Sequence, residues 1–204
     1  MKALCCFAVL IIVAVSLASC AKVEPGYVGI KVNQYGSQRG VEDFPMRTGR
    51  VWYNPFTEDV YKFPTFIQSV VWTADTTEFS PADESITFNS IEGATINADI
   101  ALSYGFIPEK VPRIFVEFRQ NAQTLTLVYI RSQVRDAFSR TASKMKVMDI
   151  FGEKKQELLQ TVKGYLTDHL GSKGFYFDMV SFVGALRVDE NVRASINAVI
   201  EATQ

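Results

Sequence analysis

The sequence predicts an α+β fold, and three observations predict it. An apolar stretch, Met1 to Cys20, stands ahead of a more polar body. The first half of that body alternates apolar and polar residues with period two, and the second half changes to the three-to-four spacing of helices. Strands in one block and helices in the next is the α+β order. The boundaries read from the sequence are 1–20 for a signal peptide or membrane anchor, 21–188 for one folded domain and 189–204 for a C-terminal helix.

At the N-terminus, Lys2 precedes an apolar run from Ala3 to Leu17, and the run ends in Leu17-Ala18-Ser19-Cys20. A charged n-region, an apolar h-region and small residues at a cleavage site are the parts of an export signal. Leu17-Ala18-Ser19-Cys20 resembles the lipobox of bacterial lipoproteins, in which the cysteine thiol takes a diacylglycerol and becomes the mature N-terminus. The competing reading is an uncleaved anchor, for which Ala3 to Ala21 is at the short end of the roughly 20 residues a spanning helix needs. Cys5 and Cys6 are then apolar residues or palmitoylation sites. The lipobox is preferred, because the small residues fall where cleavage requires them. Both readings keep the positive charge in the cytoplasm and put the body on the exported, periplasmic or extracytoplasmic face. Membrane lipid is thus the first expected partner, and Cys20 the candidate lipidation site.

Composition removes several function classes. All three cysteines lie in Met1 to Cys20, so the body can build no disulfide framework, zinc knuckle or thiol nucleophile. The chain carries 21 Lys and Arg against 22 Asp and Glu, and without Lys2 the balance is 20 to 22. No basic stripe invites nucleic acid. Lys22 is followed at once by Glu24, so no polybasic segment recruits anionic lipid, and the apolar anchor is expected to act alone.

Pro25-Gly26 signals a turn, which leaves a tether of a few residues between membrane and fold. Tyr27 to Tyr35 alternates, with Val28, Ile30 and Val32 on one face, as a half-buried strand does. Gly36 to Gly40 is a polar loop. Phe44 to Trp72 is crowded with aromatics, cut by Pro45, Pro55 and Pro64 into strands around Arg50–Tyr53, Asp59–Phe63 and Phe66–Thr73. These rings are expected mainly in the core, while Trp52 and Phe56, beside Pro55, are candidates for a tip in contact with headgroups, where Trp is favoured. Ala74 to Glu84 is a loop whose carboxylates match no EF-hand spacing, so no metal ligand is assigned.

The clearest pattern follows. Ser85 to Ser90 reads as a strand with Ile86 and Phe88 inward, Glu92-Gly93 turns it, and Ile96, Ala98, Ile100, Leu102, Tyr104 and Phe106 alternate along a second strand. An antiparallel pair with one polar face is expected. That face, Thr95, Asn97, Asp99 and Ser103, is the candidate self-association surface. Charge reversal at Asn97 or Asp99 is expected to break assembly and spare the fold. Helices are expected over Pro108–Phe118, over Thr124–Arg140 with Leu127, Ile130, Val134 and Phe138 inward, and through Leu158, Leu159, Val162, Leu166 and Leu170 up to Gly171. A last strand spans Phe175–Val183, and Asp189 begins a helix carrying Val192, Ile196, Val199 and Ile200.

Little here argues for chemistry. His169 is the only histidine, near a helix end where a cation is favoured anyway. Without a second histidine or a body cysteine the usual triads are unavailable. Gly36-Ser37-Gln38-Arg39-Gly40 lacks the central serine of a nucleophile elbow. Ser143-Lys144-Met145-Lys146 fits S-x-x-K with neither companion motif. No phosphate loop is present. The expected protein is not an enzyme and holds no cofactor or metal.

The ordered set Pro25-Gly26-Tyr27-Val28-Gly29-Ile30, Thr48-Gly49-Arg50-Val51 with Pro55, Val70-Val71-Trp72-Thr73, and Glu92-Gly93 leading into Ile96 to Tyr104 resembles the SPFH domain, or band 7, of stomatins, prohibitins and flotillins. Arg131 to Ser139, the strand after Gly174 and Asn191-Val192 in a final helix extend the resemblance to the C-terminus. It implies a membrane-anchored, non-catalytic scaffold that packs side by side with its own copies, holds a membrane microdomain, and in bacteria often encloses a membrane-bound AAA protease. Relatives usually continue into a charged coiled-coil arm, which would start at Glu201-Ala202-Thr203-Gln204. The alternative reading is a monomeric envelope lipoprotein that binds a small ligand or a single protein.

Overall fold

A computed structural model describes residues 19–37, 39–42, 45, 48–77 and 81–203. The apolar run, with Cys5 and Cys6, lies outside the described residues, as do Phe44 and Glu78. Among the described residues no helix is long and apolar enough to cross a membrane. The chain divides into two compact units, one built from the chain up to Phe66 together with Phe106–Gln123, the other from Ile67–Gly105 and the chain from Thr124 onward.

The first unit starts earlier than the sequence implies. Ser19–Val23, read as the end of an anchor and its tether, is strand β1. Its partner, antiparallel and in register from Ser19 opposite Tyr53 to Val23 opposite Gly49, is β4, Gly49–Tyr53. Strand pairing satisfies the backbone groups that a tether would leave to water. Pro25 and Gly26 (φ 82°) then make the tight turn that the sequence signals, closed by the Tyr27 amide donating to the Glu24 carbonyl at 3.1 Å. A three-stranded sheet follows, with β2 (Tyr27–Asn33) in the middle, flanked by β3 (Gly40–Val41) and β5 (Glu58–Pro64). Val28, Ile30 and Phe63 are buried. The Phe63 ring meets Phe106 edge-on at 5.7 Å and Phe115 at 6.2 Å, and Phe115 belongs to α1, Val111–Phe118, which follows a 3-10 turn at Pro108–Lys110. Edge-to-face packing matches the quadrupoles of the rings as well as burying their area.

The second unit holds two three-stranded sheets. In one, β9 (Ile100–Phe106) lies between β6 (Gln68–Trp72) and β10 (Phe175–Phe182); in the other, β8 (Thr95–Ala98) lies between β7 (Ile86–Asn89) and β11 (Arg187–Val188). The single long strand expected from Ile96 to Phe106 is therefore two strands, parted at Asp99. The alternation runs through the break unaltered, which is why periodicity does not reveal it.

Helices cover these sheets. A turn at Ala122–Thr124 leads into a π-helical stretch, Leu125–Ile130, and then into α2, Arg131–Ala142. The π stretch corrects one expected core position. Leu127 is 46% exposed, while Leu125, Thr126 and Ile130 are buried. A wider turn shifts the helical phase, so the residue that an unbroken α-helix would turn inward faces out. Val134 and Phe138 are buried as expected, and Phe138 stacks on Phe88 at 5.3 Å and lies 5.6 Å from Phe182. The sequence reading missed the short α3, Val147–Phe151, whereas α4, Lys155–Leu170, buries all five leucine and valine positions expected of it. The final helix, α5, is Glu190–Thr203; Ile196 is buried and Val199 is exposed.

Two substitutions probe this core. Phe138→Ala removes a ring that contacts both Phe88 and Phe182, and is expected to lower stability by about 3–5 kcal/mol in denaturant titration. Gly105 lies against Tyr176 so closely that an added methyl would overlap the ring. Gly105→Ala is expected to cost about 1–3 kcal/mol by overpacking, and Tyr176→Ala in the same chain should recover part of it.

Candidate functional site

The four residues read as a self-association face are not on one open face. Ser103 is buried and its hydroxyl is 2.9 Å from that of Ser69 on β6, the strand that pairs with β9. Asn97 is half-exposed and accepts a hydrogen bond from the Thr87 hydroxyl across the β7–β8 pair. Thr95 is half-exposed near the hairpin turn. Asp99 has its own partners. Its carboxylate takes both guanidinium nitrogens of Arg187, at 2.6 and 2.7 Å, and the Ala74 amide at 2.9 Å, while its carbonyl accepts from the Val183 amide at 2.8 Å. Asn97 and Ser103 thus bond across strand pairs within their own sheets, and Asp99 serves the seam between the two sheets. Sequence parity could show that they share a face; it could not show that β6, β10 and β11 pair alongside and bring Ser69 and Arg187 to these residues.

The bidentate pair has an electrostatic signature. Arg187 beside Asp99 holds its carboxyl below the usual carboxylate range against the opposing effect of burial, and Asp99 in turn raises Arg187. Asp83, bonded by the Ser85 hydroxyl and amide, is also held low. Arg187 is the functional partner that sequence reasoning missed, since nothing local marks a residue 88 positions away as the ligand of Asp99.

The ribbon of β1 and β4 gathers the other candidates. Cys20 is exposed and lies directly opposite Trp52, itself 72% exposed; Phe56, in the turn after β4, is 67% exposed. The aromatic stretch is consequently divided. Phe63 and Trp72 are core; the tip candidates Trp52 and Phe56 are exposed, and Phe66 and Tyr61 are also on the surface, so the core expectation fails for Phe66 and Tyr61. For Trp52 and Phe56 the sequence signal was the neighbouring Pro55. Lys22 lies opposite Arg50 on the same ribbon, one step along from the Cys20 and Trp52 pair.

Among the described residues, two grooves each have a volume of about 440 Å³. In the second unit, Val147 and Met148 of α3 and Val192, Ile196 and Val199 of α5 line one, beside Glu92 and Asp189. Glu92 is already engaged there, accepting from the Val147 amide at 2.8 Å and the Ser90 hydroxyl at 2.9 Å. The other, in the first unit, is lined by Tyr61, Phe115, Val116 and Arg119 among others. His169 stacks on Tyr165 with ring centroids 5.6 Å apart. The Ser143 hydroxyl donates to the Arg140 carbonyl. Among the described residues no three His, Cys, Asp or Glu side chains are grouped to hold a metal.

The profile of the SPFH domain / Band 7 family matches residues 21–204. Antiparallel strands first, then helices, a late strand and a final helix are the order of that domain, and the chain belongs to the SPFH domain / Band 7 family. No curated protein matches it. The family is generally non-catalytic, and a scaffold role fits it.

Asp99→Asn keeps the shape of the seam and removes the charge that two guanidinium bonds use. A loss of about 1–3 kcal/mol is expected, because charge-assisted bonds are the stronger kind and Arg187 is left half-buried without its anion. The pair also sets an acid limit. A carboxyl held low only in the folded state contributes fully above its unfolded value near 3.8, and that contribution fades as pH falls through the folded value. Thermal midpoints of the parent should therefore fall on acidification below about pH 4, and those of Asp99→Asn should fall less over the same interval.

Proposed function

We propose that the chain is a membrane-anchored, non-catalytic SPFH scaffold on the exported face of an envelope membrane. There it self-associates laterally and organises a membrane microdomain or a membrane protein partner such as an AAA protease. The observation that carries this reading is where the fold begins. The apolar run ends at Leu17, β1 begins at Ser19 and the family match at Ala21. A body joined so closely to a membrane-seeking segment works at the bilayer surface. Cys20 is exposed, so its thiol is accessible for a diacylglyceryl group from a phospholipid: the sulfur forms a thioether as the glyceryl carbon–oxygen bond to the headgroup phosphate breaks, and the phosphate leaves with the thiol proton. Attachment through several acyl chains is stable where one is marginal.

Self-association is supported by apolar side chains left in the open on the second unit. Val128 in the π stretch, Met179 on β10 and Val199 on α5 are 61%, 48% and 51% exposed. Copies packed side by side would cover such positions, and this support replaces the Thr95 to Ser103 face as the first place to look. The alternative, a monomeric lipoprotein acting as a binding module, draws on the groove between α3 and α5, whose volume falls within the range of small-ligand sites.

The deciding measurement is the native mass of the full chain in detergent, with radiolabelled palmitate supplied during expression. The scaffold predicts a discrete assembly of many copies that carries label, and Cys20→Ser should lose the label. A labelled monomer would reject the scaffold in favour of the binding module. An assembly whose label survives Cys20→Ser would move lipidation away from Cys20.

A further inference from the structure

The outward face of the β1–β4 ribbon carries more than an anchor cysteine. Exposure alternates along β1 from Cys20 and along β4 from Arg50. Cys20 and Lys22 are exposed on β1, with Ala21 half-buried and Val23 buried; Arg50 and Trp52 are exposed on β4, with Val51 and Tyr53 half-buried. The register sets Cys20 opposite Trp52 and Lys22 opposite Arg50. Directly opposed side chains are about 5 Å apart at Cβ, and same-face neighbours along a strand are about 7 Å apart. One small face therefore holds a thiol, an indole and two cations. The Lys22 ammonium and the Arg50 guanidinium have no ion-pair partner among the described residues.

We propose that this face is a docking surface for an anionic lipid bilayer, with Lys22 and Arg50 on headgroup phosphates and Trp52 at headgroup depth. The proposal rests on the membrane attachment argued above and adds to it a lipid preference and an orientation. Three features select this occupant. The face has cations and no carboxylate, which complements an anionic surface; an exposed indole beside cationic side chains is what the interface favours; and the apolar run ends at Leu17, two residues before β1 begins, so the face cannot lie far from the bilayer. The sequence conceals the cationic pair, because Lys22 meets Glu24 at once and Arg50 is 28 positions away. In three dimensions Glu24 has left the ribbon, and Arg50 takes its place beside Lys22.

The chain supplies its own probe. Of its two tryptophans, Trp72 is fully buried and Trp52 is open. The full chain is reconstituted in lipid nanodiscs of brominated phosphatidylglycerol and, separately, of brominated phosphatidylcholine, and tryptophan emission is read against unbrominated discs. Bromolipid should quench Trp52 strongly in phosphatidylglycerol and less in phosphatidylcholine. The difference should vanish in the double variant Lys22→Glu/Arg50→Glu, and also in 1 M salt, where the screening length falls to about 3 Å. Trp52→Phe reports the Trp72 background, and the unchanged background in the double variant shows that its fold is intact. Equal quenching in the two lipids, or quenching indifferent to charge reversal, overturns the anionic docking and leaves membrane attachment standing. Trp52 untouched by bromolipid but shielded from acrylamide in the assembly assigns the face to a second copy and also overturns the proposal. Failure of the chain to remain with the discs overturns this inference and the membrane reading together.

Discussion

The second unit depends on one residue that serves two sheets. Thr95 to Phe106 passes from the β7–β8–β11 sheet to the β6–β9–β10 sheet, and at the passage the ladder bonds of both must stop. Backbone groups left there without partners would each cost free energy comparable to a lost hydrogen bond. Asp99 supplies the missing partners. Its side chain reaches the Ala74 amide just after β6 and the Arg187 guanidinium on β11, and its carbonyl accepts from Val183 just after β10. Three strand ends converge on a single aspartate. A carboxylate suits the place because it accepts several bonds at once, and an arginine suits it because its planar fork matches both oxygens.

That arrangement constrains where the protein can meet other molecules. Residues that alternate outward from β8 and β9 are the natural candidates for a partner surface in an isolated hairpin. Here they are engaged by Thr87, Arg187 and Ser69. Apolar side chains stay exposed on the π stretch, β10 and α5, and on the ribbon that begins the fold. The π stretch contributes through its geometry. By shifting phase before α2, it buries Leu125 and Thr126 and turns Leu127 and Val128 outward.

The family is generally non-catalytic, and the perturbed carboxylates of this chain have structural causes. Of the carboxylates held low, Glu58 beside Lys31 and Asp99 beside Arg187 are tied to cations that hold strands together, and Asp75 and Asp83 accept hydrogen bonds from Thr77 and Ser85. Such pairs perturb protonation for structural reasons, which is the ordinary alternative to a reactive site.

The sequence by itself determined the α+β order, the buried stripe of α4, the inward set of β7 through β9, the turn at Pro25-Gly26 and the family. Each of these is written in short-range periodicity, in local turn chemistry or in an ordered string of motifs. Only the tertiary structure decided that Ser19–Val23 is a strand, that Thr95–Phe106 is two, that Asp99 belongs to Arg187, and that Lys22 and Arg50 flank Cys20 and Trp52. The physical reason is common to all four. Alternation records which face a side chain takes and not which strand lies alongside, and pairing is fixed by long-range hydrogen bonds that leave no local trace in the residues making them.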